Sequence, residues 1–542
     1  MKRAAILLIC EKNKKNADYL LAIRDAFAKV NIESCFMTDS AEIVLSQNLA
    51  DVLLPRTERI RDVVAHAREE GMAEIIVLTD AFMGPVFPLD EYVDKLDHCA
   101  APIWRLTRDS HMYGFKPEAW EKLAKASCLN DIMQICTPDK TETPELYDTS
   151  DIINYSIKPM TTEPLRIICE KRCPFFVHEL FHASYVQVLR YALGYQAPNF
   201  YCWLCECDCW DVNLLWDYML PSCHQDDYYW NMHLRYVLPT KHSDKAWLKE
   251  HLEEHKIALV MHLYYQDKFT ESVSFAKRFP EQTHVIITTN SEEKKTILKE
   301  MLRQEGFASF DVRVIKNRGR DVSALLVGIA DVYDQFDYIC FFHDKKTLQT
   351  KPGTIGEGFA YKLEENLFGT ADFVNNVIKL FGENPRLGML SPPIPHHAAY
   401  FFTLATDWGV NYENTERLLN DLDYTAPISE EHMPIAPLGT CFWFRAKALE
   451  PLFAYGWNYL NFPPEPNKTD GTILHAVERL YPYASVEAGY YPAIVMTDRY
   501  AKIEYSNMRY YVEGYSLACI NHGIINTQKN MKDRIISVLQ GR

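Results

Sequence analysis

Asn317, Arg318, Gly319, Arg320 and Asp321 open the stretch on which the reading of this chain turns. A helical pattern runs from Val322 to Tyr333, an apolar strand pattern from Tyr338 to Phe342, and His343, Asp344, Lys345 and Lys346 follow at once. A short apolar run that delivers charged residues at its carboxyl end, behind an Arg-rich turn, is how an open α/β sheet presents groups to a phosphorylated ligand. Gly319 lets the backbone approach such a ligand, Arg320 can fork onto phosphate oxygens, and Asp321 can accept from a sugar hydroxyl or orient an arginine. The competing account is a surface turn in which Asp321 caps the helix behind it. Charge growing on a diphosphate leaving group is neutralised either by a divalent ion on carboxylates or by fixed cations. With one carboxylate among His343, Lys345 and Lys346, the cluster reads as direct cationic stabilisation without a firm cofactor; the alternative is Mg or Mn with Asp344 as its single ligand.

The pattern around this stretch is that of alternating strands and helices. Ile257 to Leu263 and Val285 to Thr289 read as strands, Glu292 to Gln304 as a helix and Val312 to Ile315 as a strand. The first half runs in parallel: strands at Ala4 to Cys10, Asp51 to Leu54, Glu74 to Leu78 and Pro102 to Leu106, with helices from Asn16 and from His178 to Ala192. Arg59, Arg61, Asp62 and Val63 echo Arg318, Arg320, Asp321 and Val322. Asp80 lies 264 residues before Asp344, Cys173 268 before Cys441, and Asp211 259 before Asp470. These offsets predict two tandem Rossmann-like α/β units, residues 1–240 and 241–542, the first degenerate because Ile60 replaces the glycine and no lysines follow Asp80. A short helix over Asn530 to Leu539 is expected to pack on the second unit.

Lys and Arg number 57 against 73 Asp and Glu, a net charge of −16, which argues against a nucleic-acid surface and makes the local cations near 318 and 345 stand out. With no long apolar run and no cleavage signal, the chain is expected to be cytoplasmic, with peripheral membrane contact at most. Its 15 cysteines then read as reduced thiols. Cys202, Cys205, Cys207 and Cys209, with Cys223 and His224 beyond, invite zinc, although their spacing is tighter than that of paired zinc loops.

Two further constellations follow. Gly439 and Thr440 turn the chain into Cys441, Phe442, Trp443, Phe444 and Arg445, where an exposed ring would be a platform for a sugar face and ordinary core packing is the alternative. Asp470 opens a helix on which His475 and Glu478 share a face at i, i+3. Asp470 or Glu478 is the candidate base for an attacking hydroxyl, with an N-cap and a surface ion pair as the structural alternatives.

Taken together, the runs from Asn317 to Asp321, His343 to Lys346, Gly439 to Arg445 and Asp470 to Leu480, with Gly489, Tyr490 and Tyr491, resemble the rhamnan synthesis protein F family. The likeness covers Ile257 to Tyr500 well and the first half loosely. It implies a glycosyltransferase of the A-type nucleotide-sugar fold that takes dTDP-L-rhamnose as donor and a lipid-linked, rhamnose-rich glycan as acceptor. On that resemblance Asn317 to Asp321 and His343 to Lys346 hold the donor, Asp470, His475 and Glu478 carry the catalysis of an inverting displacement, and Gly439, Thr440, Trp443, Tyr490 and Tyr491 shape the acceptor cleft. The rival expectations are a non-catalytic glycan-assembly or carbohydrate-binding subunit and a transferase for another nucleotide sugar.

Overall fold

The computed structural model describes residues 1–10, 16–38, 60–136, 143–153, 160, 163–183, 195–345, 353–394, 407–468 and 470–521. Arg59, Lys346 and the expected elements Asp51 to Leu54 and Asn530 to Leu539 lie outside them, as does most of the helix expected from His178. The chain forms two compact units: Met1–His233 with Thr425–His432, and Leu234–Tyr424 with Met433–Arg542. Among the described residues no helix is long and apolar enough to cross a membrane.

In the first unit, β1 (Arg3–Ile9), β2 (Ile32–Thr38), β3 (Ile75–Thr79), β5 (Ile103–Arg105) and β6 (Met112–Phe115) form one sheet in the order β2-β1-β3-β6-β5. The first three strands are parallel and β6 runs against β3 and β5. Every residue of β1 and β3 is buried, as expected of parallel strands covered on both faces. β4 (Phe82–Met83) and β7 (Phe176–Val177) pair apart from that sheet. The expected match of Cys173 to Cys441 therefore fails: Cys173 precedes β7, whereas Cys441 precedes a central strand of the other unit.

The second unit carries eight strands: β8 (Arg235–Leu238), β9 (Ile257–His262), β10 (His284–Thr289), β11 (Phe310–Val314), β12 (Tyr338–His343), β13 (Leu387–Ser391), β14 (Phe442–Arg445) and β15 (Tyr491–Thr497). Their order is β11-β10-β9-β12-β14-β13-β15-β8, and only β14 is antiparallel to its neighbours. Each connecting helix has a local reason to start where it does. Ser291 accepts from Lys294 N at the head of Glu292–Gln304, Asp244 from Trp247 N before Lys245–Glu254, and Thr370 from Phe373 N before Ala371–Glu383, each satisfying an otherwise orphaned amide. The helix expected over Val322 to Tyr333 is shorter, Arg320–Leu326.

This order creates a topological switch point. From β9 the chain steps outward to β10 and β11, then returns to the other side of β9 as β12, leaving a crevice at the carboxyl ends of β9 and β12, where open α/β sheets bind ligands. Register puts His343 beside His262 at that edge. Because β14 is antiparallel, it begins there, so the turn of Gly439 and Thr440 abuts the end of β12. The helix Ile473–Glu487, which precedes a strand parallel to β13, also starts at this edge, and Tyr490 and Tyr491 at the start of β15 lie at the opposite one.

Candidate active site

Asp344 sits at the floor of the crevice. Its N–H donates to His262 O, and its two carboxylate oxygens accept from Tyr264 N at 3.0 and 2.9 Å and from Tyr265 N at 2.6 Å. The carboxylate thus ties the loop after β9 to the end of β12, which is a structural task and leaves little capacity to ligate a metal. Burial pushes its pKa up to about 6, against these N–H donors and the Lys294 ammonium. Asp80 uses the same device in the first unit: its N–H donates to Leu8 O and its Oδ2 accepts from Cys10 N at 3.0 Å. There the crevice is filled, since Tyr19 donates to Asp80 O at 2.6 Å and the buried His178 ring stands 3.1 Å from the same oxygen and packs on Tyr218.

Above Asp344, His343 Nε2 donates to Gly439 O at 2.9 Å and lies 3.9 Å from Asp321 Oδ2. Burial opposes ionisation of Asp321, but the His343 ring, the Thr440 hydroxyl and the Lys345 ammonium outweigh it, and its pKa falls below the usual carboxylate range. Burial, then the Lys345 charge, lowers that of His343 against the pull of Asp321. Lys345 carries its ammonium 4.5 Å from the Phe359 ring centroid, beside Gly439. Gly439 has φ +100°, and a Cβ there would come 2.6 Å from Lys345 Nζ, so a side chain would displace the cation. His262, buried and bonded through Nδ1 to Thr288 Oγ1 at 2.9 Å, completes the back wall with its pKa lowered to about 4 by burial and by His343.

Glu478 braces this turn. Its Oε2 accepts from Gly439 N at 2.7 Å and Thr440 Oγ1 at 3.1 Å, and its Oε1 pairs with Arg479 at 3.1 Å. A carboxylate holding three donors and 13% exposed is a strut, poorly placed to receive a substrate proton. Asp470 is different. Its Oδ1 accepts from Asn411 Nδ2 at 2.9 Å and Gly471 N at 2.7 Å, while Oδ2 has no hydrogen bond among the described residues and the side chain is 53% exposed. Partial burial opposes its ionisation, and the Asn411 amide, Gly471 N–H, His475 and Arg479 outweigh that, keeping its pKa below the usual range. His475 bonds through Nδ1 to Thr472 Oγ1 at 2.9 Å, 4.0 Å from Asp470 Oδ1.

Several expected roles change. Arg318 donates through Nε to Phe462 O at 2.6 Å, and Arg320 spreads its fork over both Glu465 oxygens and Asn467 O, at 3.0, 3.4 and 3.1 Å. Both arginines hold the segment 462–468, which leads into Asp470, with their donors turned away from the crevice. Gly319 allows this contact: φ is +86°, and a Cβ would come 2.7 Å from the Phe462 ring. Asn317 is exposed. Trp443 is fully buried, donates to Leu367 O at 2.9 Å and stacks on Phe279, because β14 is an interior strand. Tyr491 is buried with its hydroxyl against that of Tyr236, and Tyr490 lies at the far edge against Arg445; neither faces the crevice. The cysteines from Cys202 to Cys209, with Cys223 and His224, form no metal-ligating group among the described residues. Sequence reading missed His262 and Lys294, whose Nζ donates to Tyr264 O at 2.6 Å; only the register of β9 against β12 and the loop tied by Asp344 reveal them.

Comparison with known proteins gives a family. The family model of rhamnan synthesis protein F matches residues 144–490. Two curated proteins of Xanthomonas campestris pv. campestris, from strains B100 and ATCC 33913, each named uncharacterized protein WxcX, are 24% identical over 233 residues, 43% of this chain and 32% of theirs. The chain thus aligns with about a third of the length of these relatives. Among solved structures, the apo form of the glycosyltransferase GlyE of Streptococcus pneumoniae TIGR4 is 9% identical, covering 67% of this chain and 90% of that one at a TM-score of 0.19. A second GlyE structure is 8% identical at a TM-score of 0.18, over 67% and 89%.

Proposed function

The chain belongs to the rhamnan synthesis protein F family, and on that premise we propose that its second unit is a glycosyltransferase of polysaccharide synthesis. It moves rhamnose from dTDP-L-rhamnose to a lipid-linked glycan. The observation that carries the reading is the meeting, at the switch point of β9 and β12, of the Lys345 ammonium, the His343–Asp321 pair and the Gly439–Thr440 turn. A fixed cation beside a turn in a half-buried crevice suits a departing diphosphate, whose charge it stabilises most as the sugar–oxygen bond breaks.

In the displacement, the acceptor hydroxyl oxygen bonds to the anomeric carbon as the carbon–diphosphate bond breaks, with inversion at that carbon. The hydroxyl proton passes to Asp470 Oδ2, and the electron pair of the broken bond leaves on the diphosphate, held by Lys345. Asp470 is the base in preference to Glu478 because it is ionised, accessible and has an unoccupied oxygen. Arg318, Arg320 and Glu478 act as positioning residues, holding the 462–470 segment and the Gly439 turn. The first unit is a copy of the same fold without a donor site, its crevice closed by Tyr19, His178 and Tyr218.

The test is transfer and hydrolysis with dTDP-L-rhamnose against a panel of UDP- and GDP-sugars, together with dTDP binding by calorimetry. One dTDP bound per chain, with turnover that Asp470→Asn abolishes, is expected. Turnover only with another nucleotide sugar would overturn the donor, and two nucleotides per chain would overturn the closed first crevice. Binding without turnover on any acceptor would favour a non-catalytic subunit.

A further inference from the structure

A second cluster of titratable groups lies in the first unit, away from both crevices. Asp226 and Asp227 stand in the first turn of the helix Gln225–Asn231, and His432 arrives from a segment 206 residues further along the chain. His432 Nδ1 is 2.8 Å from Asp226 Oδ1 and 3.7 Å from Asp227 Oδ2. Among the described residues these three are the only His, Cys, Asp or Glu side chains whose ligand atoms gather so closely, all within 4.8 Å of one another.

We infer that Asp226, Asp227 and His432 form a binding site for one divalent transition-metal ion, with zinc the best match. A tetrahedral zinc with bonds of about 2.0 Å needs ligand atoms roughly 3.3 Å apart, and the two nitrogen–oxygen separations bracket that spacing. One imidazole with two carboxylates suits zinc, manganese or cobalt more than magnesium or calcium, which prefer all-oxygen shells. A single imidazole proton explains the shorter contact but not why a second carboxylate is drawn to the same nitrogen. Burial and the Asp226 charge push Asp227 up to about 6, the strain of two adjacent carboxylates that a dication relieves. The ligands are held ready. His224 lies flat on His432, ring centroids 3.8 Å and planes 6° apart, and is itself hydrogen-bonded to the backbone at Pro427, fixing the orientation of the ligating ring. The side chains are 17%, 18% and 28% exposed, leaving an open side for water as the fourth ligand. The inference is independent of the transferase reading, and it means that loss of turnover in EDTA would not by itself place a metal at the donor site.

The experiment uses the full chain stripped with chelator and titrated with Co²⁺ as a spectroscopic probe, then with Zn²⁺ in competition. One Co²⁺ per chain is expected, with a nitrogen–oxygen ligand-field spectrum and without the thiolate charge-transfer band that the exposed Cys202, Cys205 and Cys209 would produce. Asp227→Asn combined with His432→Gln should raise the dissociation constant about 100-fold or more with an unchanged circular dichroism spectrum. Absence of binding, a thiolate band, or unaltered affinity in the double variant would overturn the site. Should the double variant fail to fold, X-ray absorption at zinc on the natural protein decides: a nitrogen–oxygen shell supports the assignment and sulfur in the shell overturns it.

Discussion

Replacing Glu478 with glutamine separates a strut from a catalytic base. The carboxylate takes Gly439 N at 2.7 Å, Thr440 Oγ1 at 3.1 Å and the Arg479 guanidinium at 3.1 Å. Hydrogen bonds to a charged group contribute about 1.5–3 kcal/mol each and neutral ones about 0.5–1.5. Glutamine retains one oxygen for Gly439 and Thr440, now uncharged, and turns its amide toward Arg479, losing that tie. Arg479 keeps Asp407 O and His475 O, at 2.9 and 3.0 Å, so its charge is not stranded. The sum is a loss of about 3 kcal/mol in the local stability of the turn, roughly a 10²-fold rise in its opening equilibrium. Hydrogen exchange by mass spectrometry on the peptide containing Gly439 reads this directly, with Asp470→Asn as the control that leaves exchange there unchanged. Turnover in Glu478→Gln should fall only as far as the turn loosens, whereas in Asp470→Asn it should fall by about 10²–10⁴. Unchanged exchange at Gly439 with turnover abolished in Glu478→Gln would refute the reasoning and make Glu478 the base.

Lys345→Ala should reduce turnover by about 10²–10³ with the circular dichroism spectrum intact, the size seen when one preorganised charge-stabilising group is removed; unaltered steady-state rates would take this lysine out of the mechanism. Gly439→Ala should cost about 2 kcal/mol in a denaturant titration and lower turnover with it, since φ +100° strains any L side chain and the new Cβ crowds Lys345 and Phe359; a neutral variant would mean that the turn relaxes freely. The Glu364 carboxyl is pushed up to about 7 by burial and by the Glu271 charge. The folded state therefore holds that proton more tightly than the unfolded chain, and stability falls as pH rises from about 4.5 to about 7. Glu364→Gln should remove this component, so that its melting temperature gains on that of the natural protein across that range and no further above it. Parallel melting curves would show that the carboxyl is better solvated than its surroundings imply.

The sequence by itself determined what depends on neighbours along the chain. Uninterrupted apolar runs such as Ile257 to Leu263 read as interior strands because burial on both faces needs no polar alternation, and β9 occupies Ile257–His262. Asp344 stood out because a charged residue directly after such a run must emerge at a sheet edge. Partners decided the rest. The Arg318 contact with Phe462 spans 144 residues, that of Glu478 with Gly439 spans 39, and that of His432 with Asp226 spans 206. No local periodicity encodes such pairings. Only tertiary structure turned the arginines from an expected phosphate clamp into a brace for the 462–468 segment. It likewise buried Trp443, whose alternating aromatic neighbours read equally as a cleft wall or a core strand, because β14 has a strand on either side. The edge of the sheet on which a residue emerges depends on strand direction: antiparallel β14 brings Gly439 to the crevice, while parallel β15 carries Tyr490 and Tyr491 away from it.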